Sequence, residues 1–235
     1  MKNSDQIPPF WVVIPAAGIG SRMQSVVPKQ YLPLGRLTVL EHTLSCFLDH
    51  PKLLGIVVSL ASEDNYWNSL AVSKHPAIQT TIGGKERADS VLAGLSLLAQ
   101  QAEADAWVLV HDAARPNLQQ EDLDKLLIVA GKDSVGGLLA VPARDTLKQV
   151  DDAGRVKTTL DRRVIWQALT PQMFHLDQLQ SALEQGLKSG QAITDEASAL
   201  ELAGYSPLLV EGRSDNLKVT HPEDIQWLAP YFINL

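Results

Sequence analysis

The sequence predicts an α/β fold, a mostly parallel sheet with helices packed on both faces. Short β-branched runs alternate with amphipathic stretches through the first half of the chain, the βαβα pattern of a layered fold. Those runs are continuously apolar rather than alternating, as strands covered on both faces must be. The loops that close three of them are rich in Gly, Arg and Asp, and sheets of this kind bind ligands beyond the carboxyl ends of their strands.

Taken in order, Trp11–Ile14 reads as a strand and Val39–Leu48 as its helix. Ile56–Leu60 is followed by an amphipathic stretch at Asp64–Val72, and Ile78–Ile82 by Glu86–Leu98, where Val91, Leu92, Leu95 and Leu98 share one helical face. Trp107–His111 precedes Gln120–Ala130. This is a Rossmann-like order. After Val141-Pro142 the pattern changes: Thr146–Val150 and Arg155–Leu160 flank Asp151-Asp152-Ala153-Gly154 and read as a hairpin with a glycine-containing turn. The hairpin has too few apolar residues to seal a core, so it projects, either to embrace a second subunit or as a solvated surface element. Helices follow at Leu176–Leu187 and Glu196–Ala203, then a strand at Leu208–Val210 and a last helix near Pro222–Leu228. Thr194-Asp195-Glu196 reads as a helix N-cap with acidic residues in the first turn, which accounts for its charges. No linker or repeat interrupts the chain. The expectation is a single domain over residues 1–235, with the hairpin as a β-arm at about 142–165.

Composition narrows the function. A chain of 235 residues, 45% hydrophobic and 20% charged, can bury a substantial core and is not disordered. Its net charge of −7 gives no general attraction for nucleic acid or an anionic membrane. Any phosphate it binds must meet locally gathered cations. Cys46 is the only cysteine, so no intrachain disulfide can form, and within Leu44–Leu48 it reads as a buried small hydrophobe. The first residues lack a basic stretch leading into an apolar one, and no apolar run is long enough to span a bilayer. A soluble, cytoplasmic protein is expected.

The first loop points to phosphate chemistry. Trp11–Pro15 opens into Ala16-Ala17-Gly18-Ile19-Gly20-Ser21-Arg22-Met23, and Lys29 follows in Pro28-Lys29-Gln30-Tyr31. Glycines let backbone N–H groups approach an anion, while Arg22 and Lys29 add fixed charge. The dinucleotide-binding pattern fails at Met23, where a small residue is required, and no Gly-Lys-Ser/Thr phosphate loop occurs here. The spread-out Gly/Arg/Lys arrangement suits a nucleoside triphosphate attacked at its α-phosphorus, where catalysis is mostly positioning and electrostatics. The partner loops are Gly83–Arg87 and Asp112–Pro116, with Gly212–Lys218 as a fourth. A divalent cation, Mg²⁺ by preference, should bridge the phosphates, with Asp112 and Asp215 as candidate ligands. His111 is read as structural, because a phosphate monoester is largely ionised near neutral pH and needs no general base.

Pro15–Met23, Pro28–Leu32, Gly84–Val91, His111–Pro116, Ala168–Gln172, Thr194–Ala197 and Gly212–Thr220 together resemble, in order, the 2-C-methyl-D-erythritol 4-phosphate cytidylyltransferases. The resemblance spans nearly the whole chain. It implies the nucleotidyltransferase fold, transfer of CMP from CTP to methylerythritol phosphate in the non-mevalonate route to isoprenoid precursors, and a homodimer interlocked by the β-arm. It further implies that Arg22 and Lys29 stabilise the transition state. Ala16, Ala17, Gly18, Gly84, Lys85, Arg87, Ser90 and Ala113 would form the CTP pocket, Lys85 through its backbone. Asp112, Arg115, Thr146, Arg162, Thr170, Thr194 and Lys218 would hold the sugar phosphate, with Arg162 and Lys218 also among the catalytic cations and Thr146 and Arg162 supplied by the partner's arm. Two alternatives stand beside this reading: ribitol 5-phosphate as acceptor, or a module that binds CTP without turnover.

Overall fold

The computed structural model describes residues 6–18, 23 and 25–232. Its centre is a seven-stranded sheet built from β1 (Phe10–Pro15), β4 (Leu53–Leu60), β5 (Ile78–Ile82), β6 (Trp107–Val110), β7 (Gly136–Pro142), β10 (Trp166–His175) and β11 (Leu208–Glu211). The strand order is β11-β7-β10-β6-β1-β4-β5. Every neighbouring pair is parallel except those of β10, which runs antiparallel to both β6 and β7. Two small ladders stand apart, β2 (Pro33–Leu34) with β3 (Leu37–Thr38) and β8 (Lys148–Val150) with β9 (Val156–Thr159).

The two faces follow from the two-residue period of the strands. Val12, Ile14, Ile56, Val58 and Leu109 point to one side, against Leu40, Leu44 and Phe47 of α1 (Val39–Leu48) and Leu123, Leu126 and Leu127 of α3 (Gln120–Ala130). Val13, Val57, Val108 and Val110 point to the other, against Val91, Leu95 and Leu98 of α2 (Arg87–Leu98). Leu179 and Leu183 of α4 (Leu176–Lys188) and Leu200 of α5 (Glu196–Leu202) complete that layer. The last helix, α6 (Pro222–Phe232), packs Leu228 and Phe232 with Leu34 and Val39. None of the helices among the described residues is long and apolar enough to cross a membrane.

Two departures from the sequence reading have physical causes. The stretch Asp64–Val72 is not an α-helix but a pair of 3-10 turns, Trp67–Ser69 and Ala71–Lys74. The Asp64 carboxylate accepts the N–H groups of Tyr66 and Trp67 at 3.0 and 2.8 Å and the Tyr31 hydroxyl at 2.7 Å, drawing the backbone into a turn instead. Strands β7 and β10 carry residues that read as turn signals. Gly136, at φ +103°, begins β7 where a Cβ would lie 2.2 Å from the Met173 carbonyl oxygen. Pro171 sits in β10 where its ladder to β7 slips between Ala168 and Gln172, so the missing N–H breaks no regular pair.

The hairpin is present as β8 and β9, paired antiparallel through Lys148 and Thr159, Gln149 and Thr158, and Val150 and Val156. Gly154, at φ +73°, closes the turn, and the Asp151 carboxylate accepts the N–H groups of Ala153 and Arg155. Every residue of both strands is exposed, Val150 and Val156 included.

Candidate active site

The loops after β1, β5 and β6 converge on one cleft at the carboxyl end of the parallel strands. Contact between the first two calls for glycine at Gly83, where a Cβ would lie 2.7 Å from both the Ala17 Cβ and the Ser90 Oγ, while one on Gly84 would lie 2.2 Å from the Asp89 Cβ of the helix that follows. Ser90, almost fully buried at the start of α2, accepts the Gly84 N–H at 3.2 Å and donates to the Glu86 carbonyl at 3.2 Å, latching the loop. Gln30 performs the same service on the other side, its amide donating to the carbonyls of Ala16 at 2.7 Å and Gly18 at 3.1 Å. The residues expected around the nucleotide, Ala16, Ala17, Gly18, Gly84, Lys85, Arg87, Ser90 and Ala113, all line this cleft, together with Lys29 and Lys218. Lys29 opens a 3-10 turn and its ammonium donates to the Val219 carbonyl at 2.9 Å. Arg22 lies outside the described residues.

A second cleft adjoins the first and shares Arg87, Asp112 and Lys218 with it; Arg115, Thr170 and Thr194 line it too. Asp112 is the pivot. Its Oδ1 accepts from Arg87 Nε at 3.0 Å, its Oδ2 from Arg115 Nε at 3.2 Å, and that same oxygen meets Lys218 Nζ at 2.8 Å. Its backbone N–H donates to the Thr170 hydroxyl at 3.1 Å. Burial pushes this carboxyl up, but the charges of Arg87, Lys218 and Arg115 outweigh it and hold it well below the usual carboxylate range. Arg87 extends onward to Glu196, which accepts both guanidinium ends at 2.6 and 3.1 Å and is itself buried. Burial works against the Arg87 charge, yet Glu196 and Asp112 raise its pKa above the ordinary value. Arg115 is lowered by its burial, partly offset by Asp112. Three cations against two carboxylates leave this cluster with one net positive charge, shared by the wall between the clefts. It is ready for an anion.

Sequence reasoning did not assign Glu196 or Gln30 to the site. Asp195 does cap α5, accepting from Ser198 N at 3.0 Å, as the Thr194-Asp195-Glu196 pattern implies. The cap also swings Glu196 inward onto Arg87, a long-range pairing that no local spacing signals. Gln30 stood inside a recognised segment, but a side chain that bonds only backbone leaves no sequence mark.

His111 is fully buried between two tasks: Nε2 bonds the Arg115 carbonyl at 3.0 Å and Nδ1 the Thr170 hydroxyl at 3.0 Å. Burial pushes its pKa down to about 4, so the ring is neutral near pH 7 and braces the loop that carries Asp112. Cys46 is half-buried with its thiol donating to the carbonyls of His42 and Pro116, and burial pushes the thiol up to about 12. Such a thiol is no nucleophile.

The two carboxylates considered for metal do not fit that role. Asp112 is enclosed by three cations, an environment hostile to Mg²⁺, and Asp215 is engaged by the Arg213 fork at 2.5 and 3.0 Å. Among the described residues no group of three or more His, Cys, Asp or Glu side chains could hold a metal ion. Thr146 and Arg162, on the exposed arm, line neither cleft of their own chain; Arg162 donates instead to the Arg144 carbonyl.

Comparison with known proteins shows the family. The family model for 2-C-methyl-D-erythritol 4-phosphate cytidylyltransferase matches residues 10–233. Enzymes of that name from Pseudomonas fluorescens (strain Pf0-1) and Pseudomonas savastanoi pv. phaseolicola are 61% and 63% identical, covering 98% and 95% of this chain and the same shares of their own. Among solved structures, a 4-diphosphocytidyl-2C-methyl-D-erythritol synthase superposes with TM-score 0.82 at 39% identity, covering 95% of this chain and 97% of its own. The Francisella tularensis 2-C-methyl-D-erythritol 4-phosphate cytidylyltransferase gives 0.81 at 38%, covering 93% and 97%. Matched over residues 10–233 and more than 60% identical to relatives along nearly its whole length, this chain belongs to the 2-C-methyl-D-erythritol 4-phosphate cytidylyltransferase family.

Proposed function

We infer that this protein transfers CMP from CTP to 2-C-methyl-D-erythritol 4-phosphate and releases pyrophosphate, a step of the non-mevalonate route to isoprenoid precursors. The observation that carries the reading is the wall of Arg87, Asp112 and Lys218 common to two clefts, one walled by glycine loops and one by Arg115, Thr170 and Thr194. Such a wall suits two phosphorylated substrates that must meet.

In this mechanism the nucleotide lies in the first cleft, its phosphates along the loop after β1. An oxygen of the acceptor phosphate attacks the α-phosphorus, forming the new P–O bond as the bond to the β-phosphate oxygen breaks and pyrophosphate departs. The acceptor is already an anion, so no proton need be removed. Lys218 and Arg115, tethered by Asp112, hold the acceptor phosphate. Lys29, with Arg22 as its expected partner, takes up charge that grows at the α-phosphorus and on the leaving group. Mg²⁺, or another divalent cation, would accompany CTP as part of the substrate and would offset the charge of its phosphates.

The β-arm belongs to the same reading. Its residues are exposed on both strands, and Val150, Val156 and Val164 present apolar surface, which favours burial against a second copy. In that homodimer Thr146 and Arg162 reach the neighbour's acceptor cleft. A cytoplasmic setting goes with this reading, since a lone thiol gains nothing from an oxidising compartment.

Incubation with CTP, Mg²⁺ and either 2-C-methyl-D-erythritol 4-phosphate or ribitol 5-phosphate tests the assignment. Pyrophosphate release is expected with the first. Release with ribitol 5-phosphate alone would overturn the acceptor, and binding of CTP without turnover would overturn the transferase.

A further inference from the structure

The segment from Asn216 to Val219 lies in no helix or strand, yet it touches both clefts. The Lys218 ammonium meets Asp112 at 2.8 Å. The Val219 N–H donates to the Ala114 carbonyl at 2.8 Å, and the Val219 carbonyl accepts from Lys29 at 2.9 Å. Upstream of Lys218, the fixed point is Asn216. Only 1% exposed, it donates from Nδ2 to the Thr170 carbonyl at 2.8 Å, while its own carbonyl accepts from Arg115 Nη1 at 2.6 Å. A carbonyl partner also settles which amide atom is the nitrogen.

We propose that Asn216 is a positioning residue for the acceptor site: by strapping its segment to Thr170 and Arg115, it sets where the Lys218 ammonium meets the acceptor phosphate. The proposal rests on the transferase reading above and deepens it. Lysine is a point charge on a flexible stem, so its own geometry does not aim it. In the resting site Asp112 holds the ammonium. Once a phosphate dianion competes for that charge, the anchored backbone fixes where it can go. Displacements on the order of 1 Å at such a place can cost about a hundredfold in rate. Asn216 reaches two groups lining the acceptor cleft and none of the loops at Ala16–Gly18 or Gly84–Ser90, so its effect should fall on the acceptor.

The test is a double-mutant cycle. Asn216→Ala and Asn216→Ser are each made with Lys218 intact and with Lys218→Ala, and steady-state formation of the cytidylyl product, with each substrate varied in turn, is followed alongside thermal melting. With Lys218 intact, kcat/KM for the polyol phosphate is expected to fall on the order of tenfold to a hundredfold, with KM for CTP within about threefold. In the Lys218→Ala background the same changes should cost less than about threefold. An equal loss in both backgrounds would overturn the proposal, as would wild-type kinetics in Asn216→Ala. If Asn216→Ala fails to fold, Asn216→Ser decides; if neither variant melts cooperatively, Asn216 is an anchor of the fold and the proposal fails. A wild-type chain with no transfer would fail the transferase reading instead.

Discussion

Among the described residues Asp112 takes part in three ion pairs, and Asp112→Asn isolates its charge. The replacement keeps size and one acceptor oxygen, and it leaves the backbone N–H on the Thr170 hydroxyl. What it removes is the charge that faces Arg87, Arg115 and Lys218. A charge-assisted hydrogen bond contributes about 1.5–3 kcal/mol where both partners are desolvated. That full value does not apply three times: the Lys218 and Arg87 side chains are 35% and 28% exposed and can turn to water, and Arg87 keeps Glu196. Arg115, only 11% exposed, is the cation left most exposed to loss, although the Asn216 carbonyl still accepts from it. The sum comes to about 3 kcal/mol, or roughly 6–12 °C in melting temperature for a domain of this size. The sign of its pH dependence is fixed. A carboxyl held below its ordinary pKa contributes stability that is present above the unfolded value and is lost as pH falls through the folded one. The gap between wild type and Asp112→Asn should therefore be full at pH 7 and begin to close below about pH 4. Chemical denaturation at both pH values measures it. A loss under about 1 kcal/mol at pH 7 would refute the claim that this carboxylate holds the cluster together.

Three further outcomes are expected. Lys29→Ala should lower kcat/KM by a factor equivalent to about 2.7–4 kcal/mol, as for loss of a single transition-state donor; near-normal turnover would remove Lys29 from the chemistry. His111, held down to about 4, binds a proton in the unfolded chain before it does in the folded one. It should thus withdraw about 3 kcal/mol of stability as pH falls from roughly 6.5 to 4, and a His111→Asn variant showing the wild-type slope over that window would contradict this. Mixing Arg22→Ala with Arg162→Ala subunits should restore activity at some hybrid sites if the arm completes a neighbour's cleft. No rescue, with subunit exchange demonstrated, would count against a shared site.

What the chain revealed before folding, and what it withheld, divides along physical lines. Strands β1, β4 and β6 and helices α1, α2 and α3 were legible because each is buried by its own periodic residues, so pattern and outcome share one cause; β5, at the sheet edge, is not covered as they are, and its Gln79, Thr80 and Ile82 are exposed. Strands β7 and β10 were not, since Gly136 and Pro171 answer to neighbours remote in sequence: a close carbonyl and a slipped ladder. The site divides in the same way. Its loops announced themselves through glycine and charge at strand ends, as at Gly84 and Asp112. The partners that aim those charges, Glu196 on Arg87 and Asn216 on Arg115, lie 109 and 101 residues away from what they hold. A local motif can show that a cation is present, but only the fold shows what restrains it. For a reaction run by positioned charge, that restraint sets the rate, and so the residues least visible in the sequence are the ones whose removal should separate binding of the acceptor from stability of the chain.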